Sequence, residues 1–208
     1  MNRGKFVVID GLGKSGKTSA VQALKKELPA EKNVFTREPG GTRLAEEIRE
    51  ILIKGKINLS PLTHLLLFFA ARRAHIEETI LPSLEQGKNV ICDRFDSSTD
   101  AYNLWGEEAQ QLRFLFNQLR EHVVSHDANP ARYIILNVAP ELAYERHQKS
   151  KQGTEKDKFD DKDLDFFKRV SQGFLEFGYM HKAIIIDANR PMHVVIDDVR
   201  TTVLNIIS

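Results

Sequence analysis

Residues 11–18 read GLGKSGKT, a complete G-x-x-x-x-G-K-[ST] pattern directly behind the apolar run Lys5-Phe6-Val7-Val8-Ile9-Asp10. A strand that runs into glycines and then into a helix-forming stretch, here Thr18 to Leu28, is the setting this pattern needs. Gly11, Gly13 and Gly16 let the backbone turn sharply, so that successive N–H groups point inward at phosphate oxygens. Leu12, Lys14 and Ser15 complete the loop, and the start of the following helix adds its positive end. Lys17 supplies a point charge for β- and γ-phosphates, and Thr18 a hydroxyl for Mg²⁺. A glycine-rich turn that binds nothing is the alternative, but here strand, loop and helix are all in register. The chain is expected to bind a nucleoside triphosphate.

A chain of 208 residues, 41% of them hydrophobic, can bury a sizeable core, and one domain over 1–208 is expected. Its formal charge of +1 gives no global pull toward nucleic acid or an anionic membrane, so any anion must be bound by a local site. Cys92 is the single cysteine and sits in the strand-like run Asn89 to Cys92, which reads as a small core residue and suits a reducing compartment. No signal peptide is visible, and no stretch approaches the roughly 20 apolar residues of a membrane span. A cytoplasmic protein that binds neither nucleic acid nor membrane is expected.

Short apolar runs alternate with longer helical ones, the pattern of an α/β fold with helices on both faces of a parallel sheet. Strands are expected at 5–10, 33–36, 88–92, 132–138 and 183–187, and helices at 17–28, 43–54, 61–86, 109–126, 140–149, 163–178 and 192–206. Ser60-Pro61 reads as an N-cap with proline at the first helical position. Residues 148–162 are almost wholly polar and lysine-rich, which by composition alone is a solvated loop.

Many P-loop proteins are not kinases, so other residues must choose among them. Val90-Ile91-Cys92-Asp93 is an apolar strand ending in a carboxylate, which at the carboxyl edge of the sheet can help to hold Mg²⁺. Arg94 follows at once and can bind a second phosphate through its planar fork; a strand-end ion pair between the two is the alternative.

With Thr36-Arg37-Glu38-Pro39-Gly40-Gly41-Thr42 the pattern becomes recognisable. TREPGGT, the P-loop and DRF-x-x-S-x-x-AY (Asp93 to Tyr102) stand in the order and spacing of thymidylate kinases. Leu67 to Arg72 resembles that family's substrate-helix motif, Asp157 to Asp160 and Asp165 to Val170 its lid and the next helix, and Ile186 to Pro191 its last strand and turn. The resemblance implies a P-loop kinase fold with a five-stranded parallel sheet, a lid at 148–162 and a homodimer. It also implies transfer of the γ-phosphoryl of Mg²⁺-bound ATP to dTMP, with Thr18, Asp93 and Asp10 organising the metal. Phe68 would stack on the thymine, and Arg72, one helical turn later, would reach its O4; periodicity alone would rather make Phe68 a core residue. Arg94 and Arg49 would meet the monophosphate, although Arg49 can also be read as a surface partner of Glu46 or Glu50. Ser98 and Thr99 would touch the pyrimidine edge, Tyr102 would crowd the sugar 2′ position, and Arg37, Glu38 and Asn103 complete the substrate set.

The chain departs from the family in three places. Gly13 stands where an acidic residue usually lies near the sugar 3′-hydroxyl. Lys14 stands where one branch has a catalytic arginine, and Asp157-Lys158 where the lid often has Asp-Arg. Asn103, where glutamine is frequent, is a smaller difference. The cation that stabilises the transferred group is therefore Lys14, Lys158 or Arg146, with the choice open. Two rival functions also stand: a kinase of the same fold with broader acceptors such as dUMP, and a nucleotide-binding switch without transfer activity.

Overall fold

The structure, a computed structural model, describes residues 3–54, 57–124, 128–130, 132–150 and 162–208. Lys158 and the expected lid from 151 to 161 lie outside the described residues.

Among the described residues the sheet has five parallel strands: β1 (Phe6–Gly11), β2 (Asn33–Arg37), β3 (Asn89–Asp93), β4 (Arg132–Asn137) and β5 (Ile184–Asp187), in the order β2-β3-β1-β4-β5. Every residue of β1 is buried, as expected of a central strand covered on both faces, which explains its unbroken apolar run. Alternation divides its side chains between two cores. Val7 and Ile9 join Ala20, Leu24, Phe174 and Val199 on one face of the sheet. Phe6 and Val8 join Ile76, Ile80, Phe95 and Phe177 on the other.

Among the described residues the α-helices are α1 (Lys17–Glu27), α2 (Arg43–Arg49), α3 (Pro61–His75), α4 (Leu81–Glu85), α5 (Asp96–Thr99), α6 (Arg113–Val124), α7 (Pro140–Ser150), α8 (Leu164–Met180) and α9 (Met192–Ile207). None is long and apolar enough to cross a membrane. Ser60 caps α3 through a hydrogen bond from the Thr63 N–H at 3.2 Å, with Pro61 at the first position as the sequence suggests. The expected single helix over 61–86 is instead α3, a widened turn at Ile76–Ile80, and α4. Pro82 explains the change, because it lacks the N–H that a regular ladder would use.

One helical stretch goes beyond the sequence expectation. α5 runs directly into a widened helical turn, Asp100–Gly106, and together they carry Ser98, Thr99, Tyr102 and Asn103. Asp96, Ser97, Asp100 and Asn103 are buried there although polar, so no apolar stripe announces the helix. Hydrogen bonds replace it. Asp96 accepts from Arg120 Nε at 2.6 Å and from the Tyr133 hydroxyl at 2.7 Å, and Asp100 pairs with Arg113.

Candidate active site

β1 pairs with β3 so that Ile9 stands opposite Asp93, and with β4 so that Gly11 stands opposite Leu136. The first βα turn therefore opens at the carboxyl edge of the sheet, where the strand order reverses and a crevice forms. A cavity of about 770 Å³ lies there, lined by the P-loop, the end of β3, Phe68 and Arg72 of α3, and Tyr102.

The loop is held open by backbone torsions. Gly11 and Gly16 adopt φ of 143° and 100°, a region that side chains other than hydrogen rarely enter. No side chain caps α1, and its first turn has no acidic residue, so its leading N–H groups are left to an anionic ligand. Lys17 is buried, with Nζ 2.9 Å from the carbonyls of both Gly11 and Leu12. Burial, and next the Arg94 guanidinium, lower its pKa to about 7. Lys14 is exposed at φ 64°, and Arg146 of α7 donates to the Lys14 carbonyl at 3.1 Å. Arg146 thus reaches the loop, although the two are 132 positions apart.

The two carboxylates at the strand ends differ. Asp10 is fully buried and saturated: Oδ1 accepts from Gly11 N at 2.8 Å and Ser98 Oγ at 2.8 Å, and Oδ2 from Ser97 Oγ at 2.6 Å and Phe95 N at 3.3 Å. Burial raises its pKa, with Arg94 opposing. Asp93 accepts from the Thr18 hydroxyl at 2.9 Å through Oδ2, while its buried Oδ1 has no partner among the described residues. A hard cation fits beside Asp93 and Thr18, since Mg²⁺ commonly takes one or two carboxylates and completes its shell with phosphates and water. The expected membership of Asp10 in that set has no free oxygen to support it. Asp10 organises the helix start at Phe95 to Ser98 instead.

Arg94 has φ 72°, donates to Ser98 Oγ at 2.9 Å, and lies 5.3 Å from the centre of the Tyr102 ring. Burial works against its charge, but Tyr102, Asp10 and Asp93 outweigh it and its pKa rises. Arg49 is half-buried and donates to the Pro39 carbonyl at 2.8 Å. Burial, and next its neighbours Arg37 and Arg94, lower its pKa. Arg49 is therefore not the surface partner that helix spacing allows; it belongs to a cationic wall of the cavity. Arg37 lies on the same wall and is paired with Glu46 at 3.1 Å.

Phe68 is half-buried and lines the cavity, while its neighbour Phe69, 2% exposed, is the core residue. Arg72 is 1% exposed. Its Nε donates to Glu38 Oε2 at 2.8 Å and its Nη2 to Thr99 Oγ1 at 2.9 Å, leaving Nη1 buried without a partner among the described residues. Glu38, expected in the substrate set, is occupied by Arg72 and by His75 at 3.0 Å. The Tyr102 hydroxyl accepts from the Gly13 N–H at 2.9 Å, tying this wall to the P-loop, and Asn103 is buried at the cavity edge. A Cβ at Gly13 would meet only that hydroxyl, at an ordinary 3.5 Å. His147, Phe166, Phe167 and Met192 also line the cavity. Nothing in their local sequence distinguishes them from core residues.

The family model for thymidylate kinase matches residues 9–199. A thymidylate kinase of Limosilactobacillus reuteri is 34% identical over 207 residues, covering 96% of this chain and 95% of that one. One of Ruegeria pomeroyi is 39% identical, covering 97% and 95%. The crystal structure of a thymidylate kinase from Ehrlichia chaffeensis superposes with a TM-score of 0.74 at 30% identity, over 96% of this chain and 98% of that one. Sequence and fold agree: the chain belongs to the thymidylate kinase family.

Proposed function

We propose that this chain, as one domain, transfers the γ-phosphoryl of ATP to dTMP. The observation that carries the reading is Arg72, which lines the same cavity as the P-loop and keeps a buried Nη1 without a partner among the described residues. A buried donor without a partner is costly, and the O4 of a thymine stacked on Phe68 would satisfy it. Cytosine offers an amine donor there instead, so the same atom favours thymine over cytosine.

The P-loop and Lys17 hold the ATP phosphates, and Arg94, with Arg49 and Arg37, holds the monophosphate. Tyr102, Ser98, Thr99 and Asn103 close the nucleoside side. An oxygen of the dTMP phosphate attacks the γ-phosphorus; one P–O bond forms, the bond to the β–γ bridging oxygen breaks, and its electron pair leaves with ADP. That attacking oxygen is already anionic, so catalysis comes from positioning and charge neutralisation. Mg²⁺ beside Asp93 and Thr18 would supply Lewis-acid stabilisation of the phosphates. Among the described residues Lys14 and Arg146 are cations at the loop, Arg146 bonding the Lys14 carbonyl; the third candidate, Lys158, lies outside the described residues.

A homodimer is proposed too, on the exposed apolar side chains Leu62 and Leu66 of α3 and Phe114, 77% exposed, of the adjoining α6. A sedimenting mass of one chain would overturn it. A cytoplasmic setting suits the lone buried Cys92. Product analysis tests the function: ATP, dTMP and Mg²⁺ should yield ADP and dTDP in equal amounts, and ADP without dTDP would contradict it.

A further inference from the structure

We propose that His75 is a positioning residue for base recognition: it holds the Glu38 carboxylate, which fixes the Arg72 guanidinium so that Nη1 faces the pyrimidine. The inference rests on the reading of Arg72 given above.

Arg72 and His75 lie three residues apart on α3 and so share a face. Each takes one oxygen of the same carboxylate, Arg72 Nε on Oε2 at 2.8 Å and His75 Nδ1 on Oε1 at 3.0 Å. Behind the ring, Nε2 is 2.7 Å from Thr36 Oγ1, at the end of β2. In front, Arg72 Nη2 reaches Thr99 Oγ1 at 2.9 Å. A continuous buried chain therefore runs Thr36–His75–Glu38–Arg72–Thr99, crossing from β2 to α5.

Each link removes one freedom. A carboxylate gripped only by Arg72 could rotate with it; gripped on both oxygens, it is a fixed support. A guanidinium is planar, so fixing Nε and Nη2 also fixes the direction of Nη1. His75 cannot swing aside, because it is fully buried and packs so closely on Gly41 that a Cβ there would come within 2.5 Å of its ring. With a proton on Nδ1 the ring donates to Glu38, and Nε2 meets the Thr36 hydroxyl. The charges of Glu38 and Arg72 then cancel within the chain.

The test is kcat/KM for dTMP and for dCMP, with KM for ATP and the melting temperature, in wild type and in His75→Ala, His75→Asn and Thr36→Val. His75→Ala should lower the dTMP:dCMP ratio by about tenfold, chiefly through KM for dTMP, while KM for ATP stays within about twofold. His75→Asn, whose amide can donate to Glu38 from near the Nδ1 position, should restore most of the ratio. Thr36→Val should move it in the same direction as alanine, by about two- to threefold. A lower melting temperature with an unchanged ratio in the variants overturns the inference, as does an asparagine variant no more selective than alanine. If His75→Ala does not fold, the asparagine and Thr36→Val ratios decide: an unchanged ratio in Thr36→Val overturns it. A wild type that does not prefer dTMP to dCMP would sink the reading of Arg72 itself, an outcome distinct from a preference that survives in every variant.

Discussion

The cavity has two sides built on different principles. The P-loop side is eight consecutive residues that would meet phosphate mostly through backbone N–H groups, aimed by the torsions of Gly11 and Gly16. The side proposed to hold the nucleoside is gathered from β2, α2, α3, β3 and the 96–106 stretch, and would meet it through side chains held by buried ion pairs and hydroxyls. Phosphate looks alike in every nucleotide, so a short loop can recognise it. A particular base must be met by a donor in one place and direction, which takes support from several elements. The two sides touch at the Gly13–Tyr102 hydrogen bond and through Arg94, which reaches Asp10 at 3.5 Å.

The comparison is sharpest if each side can be damaged alone. Lys17→Ala should cost the most, about 10³-fold or more in kcat/KM. The fold should survive, because burial already disfavours the Lys17 charge; near-normal turnover would remove the P-loop assignment. Asp93→Asn should lower kcat by about 10²-fold and raise the Mg²⁺ concentration needed for half-maximal rate. An unchanged Mg²⁺ requirement would show that the free oxygen of Asp93 does not face the cation.

Arg72→Lys keeps the charge but loses the fork, and should lower kcat/KM for dTMP by about 10- to 100-fold with little change in KM for ATP. Equal damage to both substrates would break the division between the two sides. The smallest effect is a proton. With a pKa of about 7, Lys17 is largely neutral at pH 8 in the free protein, and bound phosphates favour its ammonium form. ATP binding should therefore take up a proton at pH 8. Below pH 7 this group adds no pH dependence, whereas above it ATP affinity should fall, by at most about tenfold per pH unit. Binding enthalpies at pH 8 in two buffers of different ionisation heat would show the uptake, and identical values would contradict it.

What was legible in the chain follows the same division. The five strands and the P-loop lie where expected, because buried parallel strands are continuous apolar runs and the loop is contiguous. The 96–106 helix was not legible, since its buried face carries Asp96, Ser97 and Asp100, and their partners, Arg120, Asp10 and Arg113, come from distant positions. Asp10 and Asp93 look equivalent as strand-end carboxylates; only the partners of their oxygens separate them. Glu38 changed meaning for the same reason, becoming a support for Arg72, whereas Arg49 stays beside the cavity and bonds the Pro39 carbonyl rather than a helix neighbour. The histidine of AARRAH gave no sign in sequence that its ring lies between Thr36 and Glu38.

The proposed function requires that one cavity join an ATP cradle to a pocket that reads thymine. Its most direct test is kcat/KM for dTMP, dUMP, dCMP, dGMP and UMP with Mg²⁺-bound ATP, followed as ADP release against a blank without acceptor. dTMP should come first, with dCMP and UMP far behind. Comparable turnover of all acceptors, or ATP binding with no acceptor-dependent release of ADP, would contradict it.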